Sequence, residues 1–204
     1  MIENTTETVL AKQTVNRIEE LAGTHPGYRR AHAKGEIYEA EFSPSRAAAP
    51  YTTADHLQNA NVKAIVRFSN ASSNPSTPDQ LSVIKGMSVQ FCLPSGEIAN
   101  LVGVTIPIFV TKSPQTFFKI LNTVNSFKEG KPHFRDMVKL FASYPESRAA
   151  IQIIRKLENT KSYATAAYYA MHAFYLVNKE GNRVPVKFEW IPEAGIETLT
   201  VKEM

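Results

Sequence analysis

The sequence predicts an α+β fold: an antiparallel β-sheet or barrel with an inserted group of α-helices. Three observations carry that expectation. Short alternating apolar runs follow one another between residues 37 and 111, separated by proline- and serine-rich turns such as Ser72-Ser73-Asn74-Pro75-Ser76-Thr77-Pro78. The pattern then changes to helical spacing between 113 and 157. Two longer strand-like runs around a tight turn follow before the chain stops at Met204.

Val9, Leu10, Val15, Ile18 and Leu21 recur at near-helical spacing over 6–22 and end at Gly23, which predicts an amphipathic helical arm over 1–24. His25-Pro26-Gly27 breaks it. Strands are expected at 37–42, 62–69 and 87–93, then at 98–102 and 106–111. Ser113-Pro114 places a capping hydroxyl before a proline at the first helical position, and Phe117, Phe118, Ile120, Leu121 and Val124 supply the apolar faces of that helix. Two further helices are expected over 133–141 and 145–157. Strands over 170–178 and 184–191 are joined by Lys179-Glu180-Gly181-Asn182, a good hairpin connection. Residues 25–204 therefore form one domain behind the arm.

Composition excludes several classes. With 43% hydrophobic and 21% charged residues the chain buries a substantial core and is not disordered. The net charge of +4 is scattered rather than gathered in a basic stripe, so nucleic acid is not an expected partner. The N-terminus lacks a basic and apolar leader, and no run reaches the roughly 20 apolar residues of a membrane span. A soluble, cytoplasmic protein with no membrane partner is expected. The lone Cys92 cannot form an internal disulfide and reads as a buried structural thiol.

The chemistry points to Tyr28-Arg29-Arg30-Ala31-His32-Ala33-Lys34-Gly35, at the mouth of the first strand, and to Val66-Arg67-Phe68-Ser69-Asn70 on the second. A histidine at position 32 can shuttle a proton, Ser69 can fix the tautomer of an imidazole, and Arg29 and Arg67 can hold carboxylates. Lys34 and Lys85 read as ordinary strand-end charges, and His172 as a structural strand residue. His25, His56 and His133 have no ligand spacing to one another.

In Arg-x-x-His-Ala-Lys-Gly followed by a strand, and in Val-Arg-Phe-Ser, the chain resembles the haem catalase superfamily. Later segments keep the family's order: Ile84-Lys85-Gly86-Met87-Ser88-Val89-Gln90-Phe91, then Leu101-Val102-Gly103-Val104-Thr105-Ile106-Pro107, then Ser162-Tyr163 through His172-Ala173-Phe174-Tyr175-Leu176-Val177-Asn178, and Val186-Lys187-Phe188-Glu189-Trp190. The compact size is most similar to the catalase-related peroxidases. The resemblance implies a catalase-type barrel, haem b as cofactor, and hydrogen peroxide or an organic hydroperoxide as substrate with an unidentified reductant. It makes His32 the distal acid–base, Ser69 its support, Arg29 and Arg67 the partners of the haem propionates, and Phe117 the aromatic residue over the distal face.

Two departures from the family pattern matter. Val104 stands where the family has a catalytic asparagine, and valine cannot donate a hydrogen bond to peroxide. The family's proximal tyrosinate follows an arginine by four residues. None of the eight tyrosines here does so, Lys34 before Tyr38 being the nearest match, and Tyr144 belongs to a different family segment. The metal ligand is therefore unassigned, and the C-terminal portion of the compact fold is expected to be missing. Alternatives to peroxide turnover are a non-catalytic haem- or hydrophobe-binding half-barrel and an inactive fragment. Exposed sheet edges would favour a homo-oligomer.

Overall fold

The computed structural model describes residues 2–58, 60–117, 119–120 and 142–200. The chain divides into two compact units. One comprises Met1–Lys34, Ser72–Thr77 and Phe109–Leu157, and the other Gly35–Ala71, Pro78–Ile108 and Glu158–Met204.

In the first unit, helix α1 spans Ile2–Ala22 and stops where expected. Gly23 adopts φ +79 and its N–H donates to the Glu19 carbonyl at 2.8 Å, a left-handed stop that glycine makes without a Cβ clash. Val9 and Val15 lie exposed, so this face of the helix does not bury an apolar stripe as the spacing predicts. The Ser113 cap is present: Thr116 N–H donates to Ser113 Oγ at 3.2 Å, and residues 114–117 are helical. A 3₁₀ turn over Pro145–Ser147 leads into α2, Arg148–Lys156, within the expected 145–157. The expected helix at 133–141 lies outside the described residues.

The second unit holds a six-stranded antiparallel sheet in the order β1-β2-β3-β4-β5-β8 and a separate ribbon of β6 and β7. The strands are β1 Gly35–Phe42, β2 Val62–Asn70, β3 Lys85–Cys92, β4 Ile98–Val104, β5 Tyr168–Tyr169, β6 Phe174–Val177, β7 Arg183–Val186 and β8 Glu189–Trp190. Strand alternation sorts the side chains. Val62, Ala64, Val89 and Phe91 form the core on one face, with Phe42, Val66, Met87, Leu101 and Trp190 packed against them. Fully burying a side chain of this kind contributes about 1.5–3 kcal/mol.

Among the described residues the sheet runs from β1 to β8 with no pairing between its two edge strands. Two sequence expectations are corrected. The expected strand at 106–111 is absent. Thr105 N–H still bonds the Lys85 carbonyl at 3.0 Å, but Pro107 carries no N–H with which to continue the ladder. The two long strands of the last hairpin are each interrupted. Tyr168–Tyr169 pairs with Glu189–Trp190 and Phe174–Val177 with Arg183–Val186, leaving four residues on one arm opposite two on the other. That mismatch is a bulge, and it puts His172 in an exposed bend rather than in a strand. The turn is as expected: Gly181 has φ +82, and Asn178 N–H donates to the Asn182 carbonyl at 3.1 Å.

Candidate functional site

The face of the sheet opposite the core carries two of the expected site residues. Antiparallel register aligns Ile37, Arg67, Ser88 and Val102 in one row across β1 to β4. The neighbouring row is Gly35, Ser69, Gly86, Val104 and Tyr169. Arg67 and Ser69 are two apart on β2, so both project to this face. Glycines on either side of Ser69 leave that row low, with buried Ser69 and Val104 forming its floor. In the row beside it, Ile37 and Val102 are 67% and 61% exposed, an apolar surface flanking a cation.

Gly35 is required by its neighbours rather than by its own backbone. A Cβ there would lie 2.5 Å from the Phe68 carbonyl oxygen and 2.6 Å from Arg67 Cζ and Nη2. The guanidinium thus occupies the space a side chain at 35 would take.

The remaining predicted residues belong to the first unit. His32 is half-buried in the segment between α1 and β1, with φ +53. Left-handed backbone is uncommon for a residue with a Cβ, and it turns the chain sharply at this point. Arg29 is exposed and lines a cleft of about 240 Å³ with Glu19, His25 and Arg30, where Arg30 Nε is paired with Glu19 Oε1 at 2.7 Å. Phe117 is half-buried and its ring packs against Phe109 with centroids 5.5 Å apart.

The tyrosines bear on whether a tyrosinate is available. Burial, then the charge and hydrogen bond of Glu189, raise the Tyr169 phenol. Burial is the first cause for Tyr163 and Tyr168, and the hydrogen bond to Glu36 for Tyr38. All four shifts favour the neutral phenol. Among the described residues no group of three His, Cys, Asp or Glu side chains is placed to hold a metal ion.

A sheet face with an apolar surface, a low glycine-flanked row and an arginine fits one side of a flat, carboxylate-bearing macrocycle such as haem. Arg67 would meet a propionate, and Ile37 and Val102 would contact the ring. The described residues do not identify the axial ligand.

Two side chains were misread from sequence. Lys85, expected at a strand end in solvent, is 3% exposed. It shares the core side of the sheet with Phe68 and Met87, and its ammonium donates to the Asp79 and Ser82 carbonyls. Cys92, expected buried, is exposed because it alternates with Phe91 onto the opposite face. Its odd offset from Phe91 was the available signal. No helix among the described residues is long and apolar enough to cross a membrane.

Comparison with known proteins bears on the family and the fold. A catalase-related peroxidase of Mycolicibacterium paratuberculosis is 30% identical over 195 residues, covering 94% of this chain and 60% of that protein. A catalase-related peroxidase of Synechococcus elongatus is 28% identical over 197 residues, covering 96% of this chain and 58% of that protein. The chain thus spans about three fifths of the length of these two relatives. A solved structure of a bacterial catalase superposes with a TM-score of 0.71 at 23% identity, over 93% of this chain and 38% of that one, a likeness of fold. The catalase family model matches residues 7–204, and the chain therefore belongs to the catalase family.

Proposed function

We propose that this chain forms the distal part of a haem-dependent peroxide site, decomposing hydrogen peroxide or organic hydroperoxides with electrons from a reductant. The single observation that supports it most is the pair of aligned rows: Arg67 beside Ser69 on β2, with exposed Ile37 and Val102 in one row and glycines flanking Ser69 in the next. Peroxide chemistry is suggested by the catalase-related peroxidases among the relatives. The open sheet is read as the first part of a catalase-type barrel wall, and the helices of 113–157 as its inserted group.

When bound, haem b supplies the iron-centred oxidation–reduction chemistry. What the chain adds is acid–base and binding chemistry. His32 takes the first proton of the peroxide and returns it to the departing oxygen, so that water leaves rather than hydroxide. Ser69 is the hydroxyl that the family motif assigns to the imidazole, to hold one tautomer. Arg29 and Arg67 would hold propionate carboxylates through charge-assisted hydrogen bonds, and Phe117 would supply an aromatic contact to the group, as the family motif assigns them. Val104, buried in the row of Ser69, supplies no donor to the peroxide. Loss of one such donor costs on the order of a hundredfold or more in rate, which points to slow peroxidation rather than fast dismutation.

The test is spectroscopic. The chain is supplied with haem, its Soret band recorded, and hydrogen peroxide added. A Soret band that responds to peroxide is expected, with the response lost in His32→Ala while haem uptake persists. Absence of a Soret band would sink the haem reading, and equal loss of uptake and response in His32→Ala would make His32 structural. A band that never responds would favour haem binding without turnover, for which Val104 is the specific observation.

A further inference from the structure

On the core side of the six-stranded sheet, the face away from Arg67 and Ser69, a pocket of about 150 Å³ opens among Phe42, His56, Phe91, Leu101 and Trp190. A space of that size with apolar walls takes one benzene-sized ring. The register makes the space. Phe91 pairs with Ala64 on β2 and Ala99 on β4, so both its neighbours in the row are small. The 3₁₀ turn Asp55–Leu57 brings His56 onto Phe91, with centroids 4.3 Å apart and planes 16° from parallel. Gln58 Nε2 holds that turn by donating to the Thr52 and Ala54 carbonyls at 2.8 and 3.2 Å. Phe42 stands edge-on to Phe91 and to Trp190, with centroids 5.1 and 6.1 Å apart. Ring faces and ring edges thus surround one small space, and a further flat ring meets such walls in stacked or edge-to-face contact.

The polar groups narrow the ligand. Glu189 also lines the pocket and already accepts from the Tyr169 phenol. Among the described residues no lysine or arginine lines it. Burial holds the His56 imidazole below its ordinary range, against a smaller opposing effect of Asp55, so the ring is neutral at neutral pH. The pocket therefore favours a ligand without charge. His56 makes ring contacts to Phe42 and Phe91 but no hydrogen bond to any described residue. A neutral imidazole has one nitrogen that accepts, and a ligand hydroxyl can donate to it.

We propose that this pocket binds a small neutral phenol, its ring among Phe42, Phe91 and Trp190 and its hydroxyl donating to the His56 imidazole. Because the pocket and the Arg67 row occupy opposite faces of the sheet, this binding does not depend on the haem reading.

Fluorine NMR of the full chain without added haem tests it. The probe is 4-fluorophenol, compared with 4-fluorotoluene, which has the same size and no hydroxyl. Trp190 is the chain's one tryptophan, so its emission reports whether a ligand sits in this pocket. Saturable binding of 4-fluorophenol is expected, with Trp190 emission changing along the same curve. His56→Phe keeps a stacked ring and removes the acceptor. It should weaken 4-fluorophenol about threefold to tenfold and leave 4-fluorotoluene no weaker. Tetramethylammonium, the kind of cation an aromatic cage would take, should not displace the probe. The Trp190 and tetramethylammonium measurements need no variant. No saturable 4-fluorophenol binding, unchanged Trp190 emission, displacement by tetramethylammonium, or equal effects of His56→Phe on the two fluorinated probes would overturn the proposal.

Discussion

Gly35→Ala sets two physical effects of opposite sign against each other. The backbone at Gly35 is not left-handed, since its φ lies outside the positive range of Gly23, Gly27, Gly96, Gly181 and Gly195. On conformational grounds alone, alanine would restrict the unfolded chain and stabilise the fold by about 0.4–1 kcal/mol. Space decides otherwise. The new Cβ would lie 2.5 Å from the Phe68 carbonyl oxygen and 2.6 Å from two guanidinium atoms of Arg67. The guanidinium can swing away, but the carbonyl belongs to the β1–β2 ladder, where Gly35 pairs with Ser69. Forcing such a contact costs about 1–3 kcal/mol, so a net loss of about 1–2 kcal/mol is expected, or roughly 2–8 °C in Tm for a chain of this size. Urea unfolding of wild type, Gly35→Ala and Gly35→Ala/Arg67→Ala measures it. The double variant should recover part of the loss, because it relieves the guanidinium and not the carbonyl. A Gly35→Ala protein as stable as wild type would refute the close approach of the Phe68 carbonyl and the Arg67 guanidinium to this position.

Three further outcomes are expected. Val104→Asn places an amide in the Ser69 row; in the haem-supplied protein it should raise the initial rate of peroxide consumption by about tenfold or more, measured at 240 nm, and no rise would remove position 104 from the chemistry. Phe91→Ala should cost about 3–5 kcal/mol in urea unfolding, since Phe91 is 1% exposed and packs with Phe42 and His56 at 5.1 and 4.3 Å. His56, stacked on Phe91, has its pKa lowered from the ordinary 6.5 by burial, against a smaller opposing effect of Asp55. The unfolded chain then binds the proton more readily, so the stability His56 contributes is complete above 6.5 and is lost as pH falls below it, through the folded value. Unfolding free energies over a pH series should show this slope in wild type and a flatter one in His56→Phe, and identical slopes would refute it.

Local signals carried much of this fold. Alternation placed β1, β2, β3 and β4 within about two residues; β2, β3 and β4 each turn one face to the core, so burial fixes their period, whereas β1 is exposed except at Phe42. Gly23, Ser113 and the Asn178–Asn182 turn were legible because caps and tight turns depend on two or three adjacent residues. The failures are long-range. The run at 106–111 has strand-like composition, yet Pro107 removes a donor and no strand among the described residues pairs with it. The break at 170–173 comes from unequal arm lengths that neither arm reveals alone.

The candidate site divides along the same line. That Arg67 and Ser69 share a face follows from their spacing of two; that Ile37, Ser88 and Val102 join Arg67 in one row needs the register of three pairings at once. Lys85 is the sharper case. Its position on β3 puts its side chain on the core face, where an ammonium has no place unless acceptors are brought to it. The acceptors come from the 3₁₀ turn Asp79–Leu81 and the residue after it, whose carbonyls at Asp79 and Ser82 receive the Lys85 protons, while the Asp79 side chain takes its own donor from Asn70. The lysine reads as surface charge in any window of sequence that lacks this turn. With the turn in place, the same ammonium is buried on two carbonyl oxygens and lies 5.9 Å from the centroid of the Tyr163 ring, so a local turn rather than the strand's own sequence decides where the charge goes.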